Sequence, residues 1–203
     1  MIRLILVRHG ETDANREGRL LGQLDPGLND AGRLQASGIA ARIGPYLEGS
    51  LELISSPKLR ARQTAEELSS SLGVPIRIEA GLVERHLADF DGMAVTELDT
   101  HRRALGHSFR DPTQDWSGVD SVEQDDHVCR RALKAIGVSP EPAANSKVAV
   151  THAGVIKSIF HIIFSAAPGR EGILKIRNGG ALVLVRRHDT WAFEALLNPV
   201  AMR

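Results

Sequence analysis

Three apolar runs in this chain of 203 residues stop abruptly at residues that can do chemistry. Ile2-Arg3-Leu4-Ile5-Leu6-Val7 ends in Arg8-His9-Gly10, and Lys147-Val148-Ala149-Val150 ends in Thr151-His152-Ala153-Gly154. A third run, residues 51–54, leads into Ser55-Ser56-Pro57, with Arg60 about one helical turn further on. A histidine at a strand end can serve as nucleophile, base or metal ligand, and a neighbouring arginine attracts an anion to the same place. If the three strands are neighbours in one sheet, their ends converge on the crevice where open α/β sheets bind ligands. That crevice would hold Arg8, Arg60, His9 and His152, and the helix after His152 would present free backbone N–H groups. Such groups suit a phosphoryl group, whose transfer needs charge stabilisation more than covalent elaboration.

The elements that must position these residues follow from hydrophobic periodicity. A polar loop at residues 13–26 is long enough to lie over the first strand end. A helix starts with Asn29 as N-cap, buries Ala36, Ile39, Ala40 and Ile43, and stops at Gly44-Pro45. Ser55-Ser56-Pro57 predicts a serine cap with proline in the first turn of the next helix, whose inner face is Ala61, Ala65, Leu68 and Leu72. Pro75-Ile76-Arg77-Ile78 reads as an edge strand. Residues 92–116 are the least regular, with helical fragments at 95–105 and then His107, Phe109, Arg110, Pro112 and Trp116. Val122, Cys129, Ala132, Leu133 and Ile136 form one face of a helix that Gly137 terminates. The helix after His152 turns Val155, Ile159, Phe160 and Ile163 inward. Residues 181–185 and 191–196 flank Arg187-His188-Asp189-Thr190 as a hairpin. The expected fold is a three-layer α/β/α sandwich with a mainly parallel sheet and an antiparallel edge, in one domain over residues 1–203.

Composition narrows the function. Lysine plus arginine balances aspartate plus glutamate at 25 each, so no basic stripe invites nucleic acid. The single Cys129 excludes an intramolecular disulfide and fits a reducing cytoplasm. It lies on an apolar helix face and reads as core. No apolar run approaches the roughly 20 residues that span a bilayer. The expected partner is a small molecule, with no membrane or nucleic acid, and a homodimer is open.

Leu6-Val7-Arg8-His9-Gly10-Glu11-Thr12 resembles the signature of the histidine phosphatase superfamily, which includes the cofactor-dependent phosphoglycerate mutases. Ser55-Ser56-Pro57-Lys58-Leu59-Arg60-Ala61-Arg62-Gln63-Thr64-Ala65 is similar to its second block, Leu82-Val83-Glu84-Arg85-His86 with Asp89 and Gly92 to its third, and Val150-Thr151-His152-Ala153-Gly154-Val155 to its last. The resemblance implies a phosphoglycerate mutase-like fold and a phosphohistidine intermediate on His9. It implies Arg8, Asn15, Arg60, His152 and Ala153 at the phosphate, His152 as second catalytic histidine and Glu84 as proton donor. It requires no metal and no cofactor. Ala88 and Ala153 depart from the pattern by standing where glycines are usual.

The leading expectation is a metal-independent phosphomonoester hydrolase. A phosphoglycerate mutase would use the same site but would need chain to enclose its substrate, and residues 93–146 are short for that. A two-histidine metal site built on His9 and His152 would have to tolerate two arginines beside the cation. A phosphoprotein-binding module would need the arginines but not His9. Arg62, two residues past Arg60, should face away. His101, Arg102, Arg103, His107 and Arg110 are further cations that could grip an anionic substrate.

Overall fold

The computed structural model describes residues 1–104, 116, 119–137, 144–164 and 174–199, with the backbone alone for residues 99 and 101–104. His107, Phe109, Arg110 and Pro112 lie outside the described residues, as do the side chains of His101, Arg102 and Arg103. Six strands form one sheet: β1 (Ile2–Arg8), β2 (Leu51–Ser55), β3 (Ile76–Ile78), β4 (Ser146–Thr151), β5 (Ala181–Arg187) and β6 (Thr190–Leu197), in the spatial order β3-β2-β4-β1-β5-β6. The first four in that order run parallel. β5 is antiparallel to β1 and β6 antiparallel to β5, which makes the hairpin the antiparallel edge.

Strand periodicity divides the sheet into two dry faces. Leu53, Val148, Ile5 and Val183 form one row across four strands, and all four belong to a core with Ile39, Ile43, Ala61, Ala65 and Leu68. The next row, Ile54, Ala149, Leu6 and Leu182, faces the opposite way, onto Val128, Ala132, Ile136, Val155, Ile156 and Ile159. Every residue of β4 is buried, as expected of a central strand covered on both sides. Truncating one of these aliphatic side chains to alanine should cost about 2–5 kcal/mol. A one-residue slip of β4 would exchange its two faces and misalign the polar corner at its end.

The helices supply the outer layers: α1 (Asp13–Arg16), α2 (Asp30–Ser37), α3 (Ile39–Ile43), α4 (Leu59–Leu72), α5 (Val95–Ala104), α6 (Asp125–Ile136) and α7 (Ala153–Phe164). Asn29 caps α2, its Oδ1 accepting from Gly32 N at 2.8 Å. The expected single helix through Ile43 is broken at Gly38, which ends α2 and starts α3. The expected serine cap of α4 is also corrected: Pro57 precedes the N-cap residue Lys58, which makes no side-chain cap. Asp25 Oδ1, from the polar loop, instead accepts from Leu59 N at 2.7 Å. Gly73 and Gly137 close α4 and α6 with left-handed φ of 68° and 70°. A smaller core of Leu87, Phe90, Leu98, Trp116, Val119 and Val122 underlies the irregular middle of the chain. No described helix is long and apolar enough to cross a membrane.

Candidate active site

The polar corners at the ends of β1, β2 and β4 lie side by side, because β4 pairs with both neighbours and Arg8 is opposite Thr151. Hydrogen bonds from distant residues hold the first corner. His9 N donates to Thr151 O at 3.1 Å, Gly179 N donates to His9 O at 3.0 Å, and Gly10 N donates to the Thr64 hydroxyl at 3.1 Å. Backbone packs directly on backbone here: a Cβ on Gly10 would lie 2.3 Å from Gly32 O, and one on Gly32 would lie 2.0 Å from Glu11 O. Both glycines are therefore required by close approach.

His9 is 2% exposed. Its Nδ1 lies 2.7 Å from Gly10 O, and since a carbonyl can only accept, Nδ1 carries the proton. Nε2 then holds the lone pair and accepts from Arg60 Nε at 3.2 Å. Burial, then Arg60, then Arg8 push the His9 pKa well below its ordinary value, so the ring stays neutral. Arg60 is completely buried on α4, its Nη1 donating to Leu24 O at 2.7 Å. His152 is also completely buried, its ring centroid 5.2 Å from that of His9. The Ser56 hydroxyl accepts from Lys58 N at 3.3 Å and lies 2.9 Å from His152 Nε2. His152 Nδ1 is buried with no hydrogen-bond partner among the described residues. Burial first, then Arg60 and the neighbouring His9 lower the His152 pKa well below its ordinary value.

Glu84 faces these groups from the loop after β3. Its Oε1 accepts from Arg85 N at 2.7 Å and its Oε2 from Gly154 N at 3.2 Å, at the start of α7. A Cβ on Gly154 would meet Glu84 Oε1 at 2.4 Å, so the last glycine of the second corner makes room for the carboxylate. Arg8 donates through Nη1 to Ile176 O at 2.9 Å, and burial lowers its pKa to about 10 against the opposing pull of Glu84. A pocket of roughly 250 Å³ opens over the strand ends, walled by Arg8, His9, Asn15, Glu84, Ala153 and Gly154 among others. A neutral imidazole lone pair, a carboxyl group and the Arg8 guanidinium thus meet at one small cavity, with the buried Arg60 guanidinium on the imidazole Nε2, an arrangement able to attack, protonate and neutralise an anionic ester.

A family profile of the histidine phosphatase superfamily (branch 1) matches residues 4–199. The chain belongs to that superfamily. Its similarity to an Arabidopsis thaliana protein named phosphoglycerate mutase-like protein 4 is 34% identity over 179 residues, covering 86% of this chain and 75% of the relative. A metal-independent phosphoserine phosphatase of the same plant is 29% identical over 95% of this chain and 79% of its own. A mycobacterial glucosyl-3-phosphoglycerate phosphatase, solved with VO3, superposes with a TM-score of 0.77 at 26% identity, over 98% of this chain and 100% of that one. These relatives and the fold place the protein among the phosphatases of the superfamily.

In the phosphatase, the residues singled out from sequence fall into two shells. Arg8, His9, Asn15, Glu84 and Ala153 line the pocket, whereas Arg60 and His152 are fully buried beside His9 and are not among its lining residues. Asn15 serves a cap as well: its backbone N–H donates to Thr12 Oγ1 at 3.2 Å and its Oδ1 faces Thr12 N in a capping box. That oxygen also accepts from Asn178 Nδ2 at 2.9 Å, which leaves the Asn15 amide donor for a ligand. Ala88 has φ of 51°, the left-handed conformation that favours the glycine usual there. Arg62 is exposed, and Asp89 is exposed and outside the pocket wall. Cys129 is buried in the core with its thiol pushed up to about 11, chiefly by burial. No group of three or more metal-ligating side chains is assembled among the described residues.

The sequence reading missed Asn178, whose Nδ2 also reaches His9 O at 3.3 Å and Gly10 O at 3.4 Å. Its only local signal is Asn178-Gly179-Gly180, which announces a turn and says nothing about which carbonyls the side chain meets. Arg19, Arg85, Trp116 and Lys157 also line the pocket without having been assigned to it.

Proposed function

We propose that the phosphatase hydrolyses small phosphomonoesters through a phosphohistidine on His9, with Glu84 as proton donor and no metal ion. The observation that carries this reading is the His9 tautomer: a proton fixed on Nδ1 and a lone pair on Nε2, in a ring kept neutral by burial and two arginines. Nε2 attacks phosphorus while the ester P–O bond breaks. Glu84 gives its proton to the departing alkoxide and then takes one from the water that cleaves the N–P bond, restoring neutral His9. Arg8, Arg60 and His152 stabilise the equatorial oxygens; Nε–H of Arg60 passes from the imidazole to phosphate, and the unpartnered Nδ1 of His152 becomes a contact. Two guanidiniums beside the nucleophile disfavour a bound cation.

The pocket size suits a small molecule, and the names of the relatives point to phosphorylated metabolites such as phosphoserine and phosphoglycerate derivatives. The mutase reading rests on the mutase-like relative and on Glu84-Arg85-His86. One assay separates the two. Phosphoserine, 3-phosphoglycerate and p-nitrophenyl phosphate are incubated with enzyme after EDTA treatment, with and without 2,3-bisphosphoglycerate, following inorganic phosphate and 2-phosphoglycerate together. Phosphate release that survives chelation and needs no bisphosphoglycerate is expected. Interconversion far outpacing release would favour the mutase, and activity restored only by zinc, iron or manganese would favour a metal site.

A further inference from the structure

The segment that carries Glu84 has no regular structure of its own. After β3 it makes a short 3-10 turn at Ala80–Leu82 and then runs irregularly through Val83, Glu84, Arg85 and His86. A proton donor on such a segment needs an external frame to hold it against the rotational freedom of the backbone. Thr151 Oγ1 donates to Leu82 O at 2.7 Å and Gln23 Nε2 to Glu84 O at 2.9 Å, and one side chain on α6 adds three more bonds. Arg131 donates through Nη1 to Gly81 O at 2.7 Å and to Val83 O at 2.9 Å, and through Nη2 to Glu84 O at 3.4 Å.

The same guanidinium is oriented from its other edge. Nε donates to Glu123 Oε1 at 2.7 Å and Nη2 to Glu123 Oε2 at 2.8 Å, a two-pronged pairing. All five N–H donors of the guanidinium therefore have acceptors, three of them carbonyls within four residues of chain. Glu123 is itself fixed. Burial would raise its pKa, yet hydrogen bonds and charge from Arg131, with His127 and the His86 backbone N–H, hold it at about 2. It accepts from His86 N at 3.2 Å, so carboxylate and guanidinium grip both sides of Glu84 along the chain. The loop also lies hard against the helix, since a Cβ on Gly81 would be 2.7 Å from both Arg131 O and Ala135 Cβ.

We propose that Arg131, locked by Glu123, is a positioning residue for Glu84, setting the loop so that the carboxyl meets Gly154 N and the leaving group. It lies outside the pocket over the strand ends; its hydrogen bonds toward the site go to the Glu84 segment, while its charge also reaches His152. The inference rests on the reading of Glu84 as proton donor. A lysine cannot replace it, because one ammonium has three donors on a single atom and cannot span two edges.

The test compares p-nitrophenyl phosphate with benzyl phosphate, which have similar shapes but a stable and a strongly basic leaving group. Arg131→Lys and Glu84→Gln are measured singly and combined, reading kcat/KM for each substrate. Arg131→Lys should lose roughly tenfold or more on benzyl phosphate relative to p-nitrophenyl phosphate, the direction expected for a lost general acid. In the Glu84→Gln background, it should add no further loss of that selectivity. A merely structural role would depress both substrates alike, and equal losses, while Glu84→Gln discriminates, overturn the inference. If Glu84→Gln itself fails to discriminate, the reading of Glu84 falls and the inference falls with it. Should Arg131→Lys not fold, Glu123→Gln decides. It keeps Arg131 but turns an amide N–H₂ toward the guanidinium, and it should show the same selective loss; equal losses there also overturn the inference.

Discussion

Arg60 Nε donates to His9 Nε2 at 3.2 Å, so the arginine occupies the very lone pair that the proposed reaction uses. The contact orients the imidazole and discourages its protonation, and in the reaction the donated hydrogen is handed to a phosphoryl oxygen. Arg60→Gln should therefore lower kcat by about 10²–10³, the range for removing one preorganised donor.

The same substitution should change the pH profile. Burial, Arg60 and Arg8, in that order, lower the His9 pKa, so removing Arg60 lets it rise toward the ordinary value of 6.5. Neutral His9 is the reactive form. The acid limb of kcat/KM should move to higher pH in Arg60→Gln, with p-nitrophenyl phosphate as common substrate so that its own ionisation cancels. A limb that stays in place or moves lower would contradict the electrostatic role.

Stability should respond to pH through both buried histidines. His9 and His152 have folded pKa values below the ordinary 6.5, so as pH falls past that value the unfolded chain takes up protons first. Stability is then complete above about pH 6.5 and declines below it, by up to about 1.4 kcal/mol per pH unit for each histidine. The carboxylates of Glu52, Glu123 and Asp125, whose pKa values are lowered, begin to lose their contribution only below about 4.5. The window between pH 6.5 and 5 therefore reports the histidines. Urea unfolding across it should show this slope, roughly halved in His152→Gln. An unchanged slope in that variant would mean that the second histidine does not titrate as its burial implies.

Ala88 holds φ of 51°, where an L side chain costs about 1–2 kcal/mol. Ala88→Gly relieves that strain but gives the unfolded chain more freedom, about 0.5–1 kcal/mol in the other direction. The net expectation is a neutral to slightly stabilising change in thermal unfolding, against the loss that an alanine to glycine change ordinarily brings. A clear destabilisation would show that the left-handed turn at Ala88 is not a strained feature of the folded protein.

What was legible in the sequence was local. The stops at His9, Ser55 and His152 mark where apolar periodicity yields to polar residues, Asn29 is a cap by residue type, and Gly137 is an αL terminator. Adjacency of the three corners was only a condition of that reading, and the strand order β2-β4-β1 meets it. Partners far apart in sequence left no such trace. Asp25 caps a helix that begins 34 residues later, Asn178 reaches back 169 residues to His9 O, and Arg131 meets carbonyls about 50 residues earlier. Each uses a common polar residue whose local pattern is satisfied by a solvated surface position. The break at Gly38 was hidden for another reason: the apolar face continues across it through Ala36 and Ile39, and only the backbone changes.

Phosphoenzyme trapping reads out the proposed covalent intermediate on His9. Enzyme mixed with phosphate-labelled substrate is quenched within the first turnover in alkaline denaturant, digested, and the labelled peptide identified. Label is expected on the peptide holding Arg8-His9-Gly10, stable in alkali and lost in mild acid, with no label and no turnover in His9→Ala. Near-parental turnover in His9→Ala, or an unlabelled parent enzyme during a phosphate burst, would contradict it.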